Sequence, residues 1–282
     1  MDIREIRNKI DVIDDEMAEL FVRRMQIVKE VAEYKKERGL AIEDSGREQS
    51  LIEKHGSAIA DDQIRSLYIN FQKEVMEISK RWQHRLMNGM QVAGTGAPDS
   101  TGCAAAKAIF PDGNVISYEK CRDAYKAVED GVCDVAVLPL ENSYSGEVGK
   151  VYDLIFSGNL YVNDIYAAET AESTTRYAVI SRIDSEVTAG SGEDSLLIMF
   201  TVRDEIGGLA KAINIISAYD FNMRVMRSRP LKDLPWHYYF YAELAGDCSG
   251  ESAERIMRAL SAACTTVKLA GRFSGGHVIS LN

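Results

Sequence analysis

The residues best suited to chemistry lie near the front of the chain. Arg24 falls where a heptad rhythm calls for a hydrocarbon, after Ile3, Ile6, Ile10, Ile13, Met17 and Leu20 and before Ile27, Val31 and Tyr34. A guanidinium on an apolar stripe is costly unless it meets an anion. Lys35 stands eleven residues further on, and at about 100° per residue it returns to within about 20° of Arg24 on the same helix face. Asp44-Ser45-Gly46-Arg47-Glu48 then reads as a cap opening a new helix, and adds another cation and two carboxylates. Ser79 and Gln83, four residues apart, share a face further along. Arg7 is rotated by about 100° from Arg24, so it faces elsewhere and would reach a neighbouring subunit's site in a dimer of crossed helices. Fixed cations with neutral donors suit an anionic ligand and negative charge that develops on it. Taken singly, each residue also fits a solvated helix face, and a seam arginine can simply fix coiled-coil register.

Long helices must position this set. The pattern from residue 2 to about 38 runs without a proline and stops at Gly39. At about 1.5 Å per residue it makes a rod of roughly 55 Å, more than 90 residues can cover by folding back, so a second chain is expected to cover the rest. A second helix is expected from about Ser45 to Lys54, ending near Gly56, and a third from Asp61 or Asp62 to about Met87. From Asn88 to Gly102 the periodicity gives way to Gly, Pro and Ser, which reads as a domain boundary. Helix and strand then alternate: Ala104 to Phe110 helical, Val115 to Tyr118 extended, Lys120 to Glu129 helical, Asp134 to Leu138 a short buried strand, a loop at Glu141-Asn142-Ser143, Val148 to Phe156 helical, and Arg176 to Ile180 extended. Arg182 to Asp194 reads as a linker. The last segment follows the order βαββαβ, a ferredoxin-like arrangement: Leu196 to Val202, Gly208 to Tyr219, Met223 to Ser228, His237 to Leu244, Ser252 to Ala263 and Thr266 to Phe273.

The totals bound the possibilities. With 282 residues, 46% of them hydrophobic, the chain has material for two or three modest domains. A formal net charge of -10 argues against nucleic acid or an anionic membrane as partner. The five cysteines, Cys103, Cys121, Cys133, Cys248 and Cys264, form neither a Cys-x-x-Cys pair nor a histidine cluster, so reduced thiols of a cytoplasmic protein are expected and no metal site is indicated. No signal core and no run long enough to cross a bilayer is found.

The joint pattern Arg7, Arg24, Lys35, Asp44, Arg47-Glu48, Ser79 and Gln83 resembles the all-helical class of chorismate mutase, most closely the mutase domain of the bifunctional chorismate mutase/prephenate dehydratases. That resemblance implies an intertwined-dimer helical domain over 1–88 and the Claisen rearrangement of chorismate to prephenate in aromatic amino acid biosynthesis. Arg24 and the neighbour's Arg7 would hold the two carboxylates, with Arg47 and Ser79 near the ring. Lys35 and Gln83 would donate to the ether oxygen, and Glu48 and Asp44 would contact the hydroxyl and steady the cations. The catalytic set is then Lys35, Gln83, Arg24, Arg7 and Glu48, with no cofactor and no metal.

The segment 91–182 resembles the first lobe of prephenate dehydratase, a half periplasmic-binding-like α/β unit, through Val135-Ala136-Val137-Leu138-Pro139-Leu140-Glu141-Asn142-Ser143, Val151-Tyr152-Asp153-Leu154 and Thr175-Arg176-Tyr177. The family's glycine loop reads here as Asp99, Thr101 and Gly102. Its second lobe would lie where this chain has only about twenty residues. Loss of dehydratase activity is therefore expected, with Asn142, Ser143, Thr175, Arg176 and Tyr177 as remnants. The segment 194–277 resembles an ACT regulatory domain. Gly207-Gly208-Leu209, Asn222-Met223 and Ser228-Arg229-Pro230 occupy the effector motifs, and Arg227 stands where the family has Glu. The resemblance implies an aromatic amino acid effector, phenylalanine first, and a homodimer or higher assembly. Two other readings remain: a bifunctional enzyme retaining both activities, and a non-enzymatic ACT sensor whose helices only dimerise.

Overall fold

The structure is a computed structural model that describes residues 2–184, 194–232 and 234–281. Most of the expected linker at Arg182 to Asp194 lies outside the described residues. Two compact units emerge, Met1–Gly89 and Met90–Asn282.

The first unit is three helices, α1 (Ile3–Arg38), α2 (Ser45–Ser57) and α3 (Asp62–Asn88). Each begins on an aspartate whose carboxylate accepts backbone N–H groups: Asp2 for α1, Asp44 for α2 and Asp61 for α3. Gly39 ends α1 at φ 60°, a left-handed conformation for which glycine is the default residue. Within the chain α1 buries only Val28 and Ala32, against a face of α3 carrying Val75, Met76, Ser79 and Gln83. The heptad seam is not what the chain itself covers: Ile3, Ile10, Ile13 and Leu20 stay 51–63% exposed.

Among the described residues the second unit is built on one sheet of 11 strands. It opens with β1 (Gln91–Thr95), α4 (Thr101–Ile109), β2 (Asn114–Tyr118), α5 (Cys121–Glu129), β3 (Val135–Asn142), the short β4 (Gly146–Glu147) and α6 (Gly149–Ser157). The hairpin β5 (Tyr161–Glu169) and β6 (Thr174–Ser181) follows. Then come β7 (Asp194–Thr201), α7 (Gly208–Ala218), β8 (Asn222–Pro230), β9 (Tyr238–Ala245), α8 (Gly250–Ala263), β10 (Thr266–Ser274) and β11 (His277–Ser280). The path across the sheet is β2-β1-β3-β6-β5-β10-β7-β9-β8, with β11 also on β5 and β4 on β3. The stretch β10-β7-β9-β8 is antiparallel throughout and carries the βαββαβ order expected for the last segment.

Three expectations need correction. The boundary expected within Asn88 to Gly102 falls between Gly89 and Met90, but the rest of that stretch contains β1, which is flanked by β2 and β3 inside the sheet. Its small residues are what that position needs, since a Cβ on Gly94 would sit 2.9 Å from the Cys103 Sγ of α4. Glu141 and Asn142 belong to β3 rather than to a loop, paired with Arg176 and Thr175 of β6. Residues 161–169, read as no element, form β5, which joins the α/β strands to the ferredoxin-like strands. Where β10 pairs with β5, a Cβ at Gly271 would lie 1.9 Å from the Val162 carbonyl oxygen, so only glycine fits there. One apolar core runs through this junction, with Tyr152, Ile155, Val162 and Ile165 packed together with Leu197, Met199, Tyr239, Tyr241 and Phe273.

Candidate functional site

In the helical unit α1, α2 and α3 enclose a pocket of about 440 Å³. Arg24, Lys35, Asp44, Arg47, Glu48, Ser79 and Gln83 all line it, so residues up to sixty positions apart in sequence converge as their types suggested. Arg24 and Lys35 come from α1, Arg47 and Glu48 from the first turn of α2, and Ser79 and Gln83 from the buried face of α3. Arg7 is exposed on α1 and is not part of this lining.

Arg24 donates to the Ser79 hydroxyl, and to the Val75 carbonyl at 3.4 Å. Burial, and next the neighbouring cation of Arg47, pull its guanidinium below the ordinary arginine value. It remains a cation at any physiological pH, in surroundings that favour an incoming anion. Lys35 Nζ donates to the Ile42 carbonyl at 2.6 Å, which holds it near the pocket edge without a carboxylate partner among the described residues. The Asp44 carboxylate accepts the Arg47 N–H at 3.0 Å, so it fixes the start of α2 and thereby the two residues after it. Gln83 donates from Nε2 to the Ser79 carbonyl at 3.3 Å, while its buried Oε1 has no partner among the described residues. An amide nitrogen has two hydrogens, so the second remains for a ligand.

Lys80 also lines the pocket and was not picked out from the sequence. It directly follows Ser79 and forms an i,i+3 pair with Glu77, a pattern that reads as helix surface. Only the fold shows its ammonium close to Glu48 as well. His55, Tyr68 and Gln72 close another part of the wall, with Tyr68 Oη 3.3 Å from His55 Nδ1 and donating to Gln72 Oε1 at 3.3 Å.

The α/β part of the second unit has its own pocket, of about 660 Å³. Thr95 and Gly96 at the end of β1, with Ser100, Thr101 and Gly102 at the start of α4, face Asn142, Thr175 and Tyr177 across it. Asn142 is tightly engaged: its Nδ2 donates to Thr175 Oγ1 at 2.8 Å and its Oδ1 accepts from the Tyr144 and Ser145 N–H groups. Ser143 Oγ accepts the Thr174 N–H at 3.0 Å, outside the lining. Arg176 takes no part in the pocket lining and is paired instead with Glu243 of β9 at 2.8 Å and Glu141 at 3.7 Å. Between α6 and β6 there is only β5 and a tight turn closed by Thr170 and Ser173.

The motifs read as effector-binding lie in two places. Gly207, Gly208 and Leu209 form the start of α7, with Gly207 as its N-cap, and Asn222, Met223, Ser228, Arg229 and Pro230 lie along β8. Arg229 is committed to the α/β part: it meets Asp153 of α6 through two nitrogens at 2.8 and 3.1 Å, and Glu147 at 2.9 Å. Arg227 meets Glu141 at 2.6 Å and Glu147 at 3.5 Å. Its positive charge thus answers two carboxylates of the same unit. Tyr239 and Tyr241 donate to Asp153 at 2.8 Å and Glu147 at 2.9 Å, completing the junction.

Among the described residues no cluster of metal-binding side chains occurs, and no helix is long and apolar enough to cross a membrane. Comparison with known proteins adds the following. Residues 6–84 match the family "Chorismate mutase type II", and residues 92–168 the family "Prephenate dehydratase". A "Bifunctional chorismate mutase/prephenate dehydratase" of Aquifex aeolicus is 22% identical over 366 aligned positions, which cover 96% of this chain and 98% of the relative. Since this chain has 282 residues, at least 84 of those positions have no counterpart in it. A prephenate dehydratase from Streptococcus mutans has a similar fold, with TM-score 0.59 and 22% identity, covering 67% of this chain and 98% of that one. Another, from Arthrobacter aurescens and solved with L-Phe, gives TM-score 0.56 at 14% identity, covering 66% of this chain and 90% of that one. The chain is thus a relative of the bifunctional chorismate mutase/prephenate dehydratases, joining a chorismate mutase type II domain to a prephenate dehydratase-like domain.

Proposed function

We propose that the protein is a chorismate mutase whose activity is regulated by an aromatic amino acid and whose dehydratase activity has been lost. The observation that carries the mutase reading is the convergence of Arg24, Lys35, Arg47, Glu48, Ser79 and Gln83 on one pocket. Chorismate is a dicarboxylate with a flexible ether side chain. Arg24 would take one carboxylate in a charge-assisted hydrogen bond, and holding the side chain over the ring removes an entropic barrier. As the C–O bond breaks, negative charge grows on the ether oxygen, where Lys35 and the free amide hydrogen of Gln83 would stabilise it. Glu48, with Asp44 behind it, would receive the hydroxyl. Arg7 of a second copy would meet the other carboxylate. The exposed apolar seam of α1, Ile3 through Leu20, supports such a homodimer, since it needs a cover that its own chain does not supply.

Loss of dehydratase activity is supported by the short connection between α6 and β6, which holds only β5 and a turn and so has no second lobe to close over the α/β pocket. The opposite reading, a bifunctional enzyme, is favoured by the surviving Asn142–Thr175 hydrogen bond in that pocket. The ferredoxin-like segment is assigned as an ACT domain, and the L-Phe bound by the Arthrobacter aurescens relative makes phenylalanine the first effector to test. One experiment separates these readings: follow chorismate loss by ultraviolet absorbance and assay phenylpyruvate, each with and without phenylalanine. Chorismate loss without phenylpyruvate, altered by phenylalanine, is the expected result. Phenylpyruvate formation would establish the bifunctional reading, and untouched chorismate would leave only a sensor.

The same assignment predicts a pH profile. Gln83 is an amide and does not titrate, so turnover should persist across neutral pH. Measured kcat should stay level between mildly acidic and neutral buffers; a steep fall tracking a single titration would remove Gln83 from its role.

A further inference from the structure

We infer that Lys80 is a positioning residue of the mutase pocket that neutralises and orients Glu48, so that a carboxylate can stand in a site built to take a dianion. This rests on the mutase reading above. Lys80 Nζ lies 3.3 Å from Glu48 Oε2 and 2.5 Å from Glu77 Oε1. Its side chain is only 17% exposed, against 31% for Glu48 and 52% for Glu77. The outer carboxylate thus faces solvent while the inner one lines the pocket, with the ammonium enclosed between them.

The charge balance explains the arrangement. Arg24, Lys35, Arg47 and Lys80 line the pocket together with two carboxylates, Asp44 and Glu48. Asp44 is occupied in capping α2. Glu48 is not used as a cap, and without a cation against it its charge would repel an incoming dicarboxylate at short range in partly desolvated surroundings. Lys80 removes that repulsion and leaves one Glu48 oxygen edge to receive a hydroxyl. The hydrogen bond to Glu77, opposed by partial burial and joined by the bond to Glu48, raises the Lys80 ammonium above the ordinary lysine value, so it stays charged wherever the enzyme would work.

The test uses the full chain and five proteins: parent, Lys80→Met, Lys80→Arg, Glu48→Gln, and Lys80→Met combined with Glu48→Gln. Steady-state chorismate turnover in Lys80→Met should show KM raised on the order of tenfold with kcat changed far less, and Lys80→Arg should restore KM. Measured against Glu48→Gln alone, the KM penalty of adding Lys80→Met should shrink, because the uncompensated charge is gone. Calorimetry with malonate, a simple dicarboxylate, gives the same comparison without turnover. If parent and Lys80→Met bind chorismate and malonate equally, or if the penalty is undiminished in the double variant, the inference is overturned. If the parent leaves chorismate untouched, the mutase reading fails, and the malonate series alone then decides whether Lys80 governs dianion binding.

Discussion

Lys35→Ala and Gln83→Ala are each expected to slow chorismate turnover by about 10²- to 10³-fold, a loss of about 3–4 kcal/mol of transition-state stabilisation. Both side chains line the pocket from opposite helices, Lys35 on α1 and Gln83 on α3, and both keep a hydrogen free for a ligand. Their role is assigned to charge that appears only as the ether bond breaks, so the loss should fall on kcat at least as heavily as on kcat/KM. Neither substitution should unfold the helical unit. Lys35 gives up one contact with the Ile42 carbonyl, and Gln83 already leaves a buried oxygen without a partner among the described residues, which alanine removes. Circular dichroism of each variant should therefore match the parent while the chorismate assay collapses. Variants that turn over at parental speed would reduce the pocket to a packing feature.

Much of the pocket in the helical unit was legible because helices carry their geometry in the sequence. Arg24 and Lys35 could be placed on one face from spacing alone, and Asp44 and Gly39 marked helix ends that the structure retains. Lys80 was not legible, since its second carboxylate comes from another helix. In the α/β part β1 was hidden by its small residues, which are buried for steric fit rather than for hydrophobicity. β5 was hidden by a register shift between Val162 and Asp164, which breaks the alternation that identifies a strand and leaves Asn163 and Asp164 side by side in its middle. The ferredoxin-like order was readable from periodicity, whereas the partners of Arg176, Arg227 and Arg229 lie 35 to 86 positions away and have no local signature.

The second large effect is predicted at those partners. Arg229→Ala should lower the stability of the second unit by about 2–3 kcal/mol, below the value for a fully buried pair because Arg229 is 22% exposed. For a unit of this size that corresponds to a fall in melting temperature of roughly 4–12 °C. The substitution removes the guanidinium that joins Asp153 and Glu147, and leaves Asp153 with Lys232 and Tyr239 and Glu147 with Arg227 and Tyr241. Burial opposes ionisation of Asp153, but the hydrogen bonds from Arg229 and Tyr239 outweigh it and hold the carboxyl below its ordinary value. A carboxyl depressed on folding contributes stability above its unfolded value of about 3.9, and the contribution disappears as pH falls through the lower folded value. The gap between parent and Arg229→Ala should therefore be full at pH 7 and close below about pH 4. Thermal melts of both proteins at neutral and acid pH check this. An equal gap at both would show that the guanidinium acts through packing alone.

The pairing of β10 with β5 sets a limit on how this architecture could be recombined. A terminal sensor tethered by a peptide could be excised or grafted onto another enzyme without harm to either piece. Here a cut between β6 and β7 would bare a raw strand border on each fragment and split a shared core, inviting self-association on both sides. Inheritance of the last two segments is thus expected to be all or nothing, and transplanting the final one would require a host that offers a matching strand.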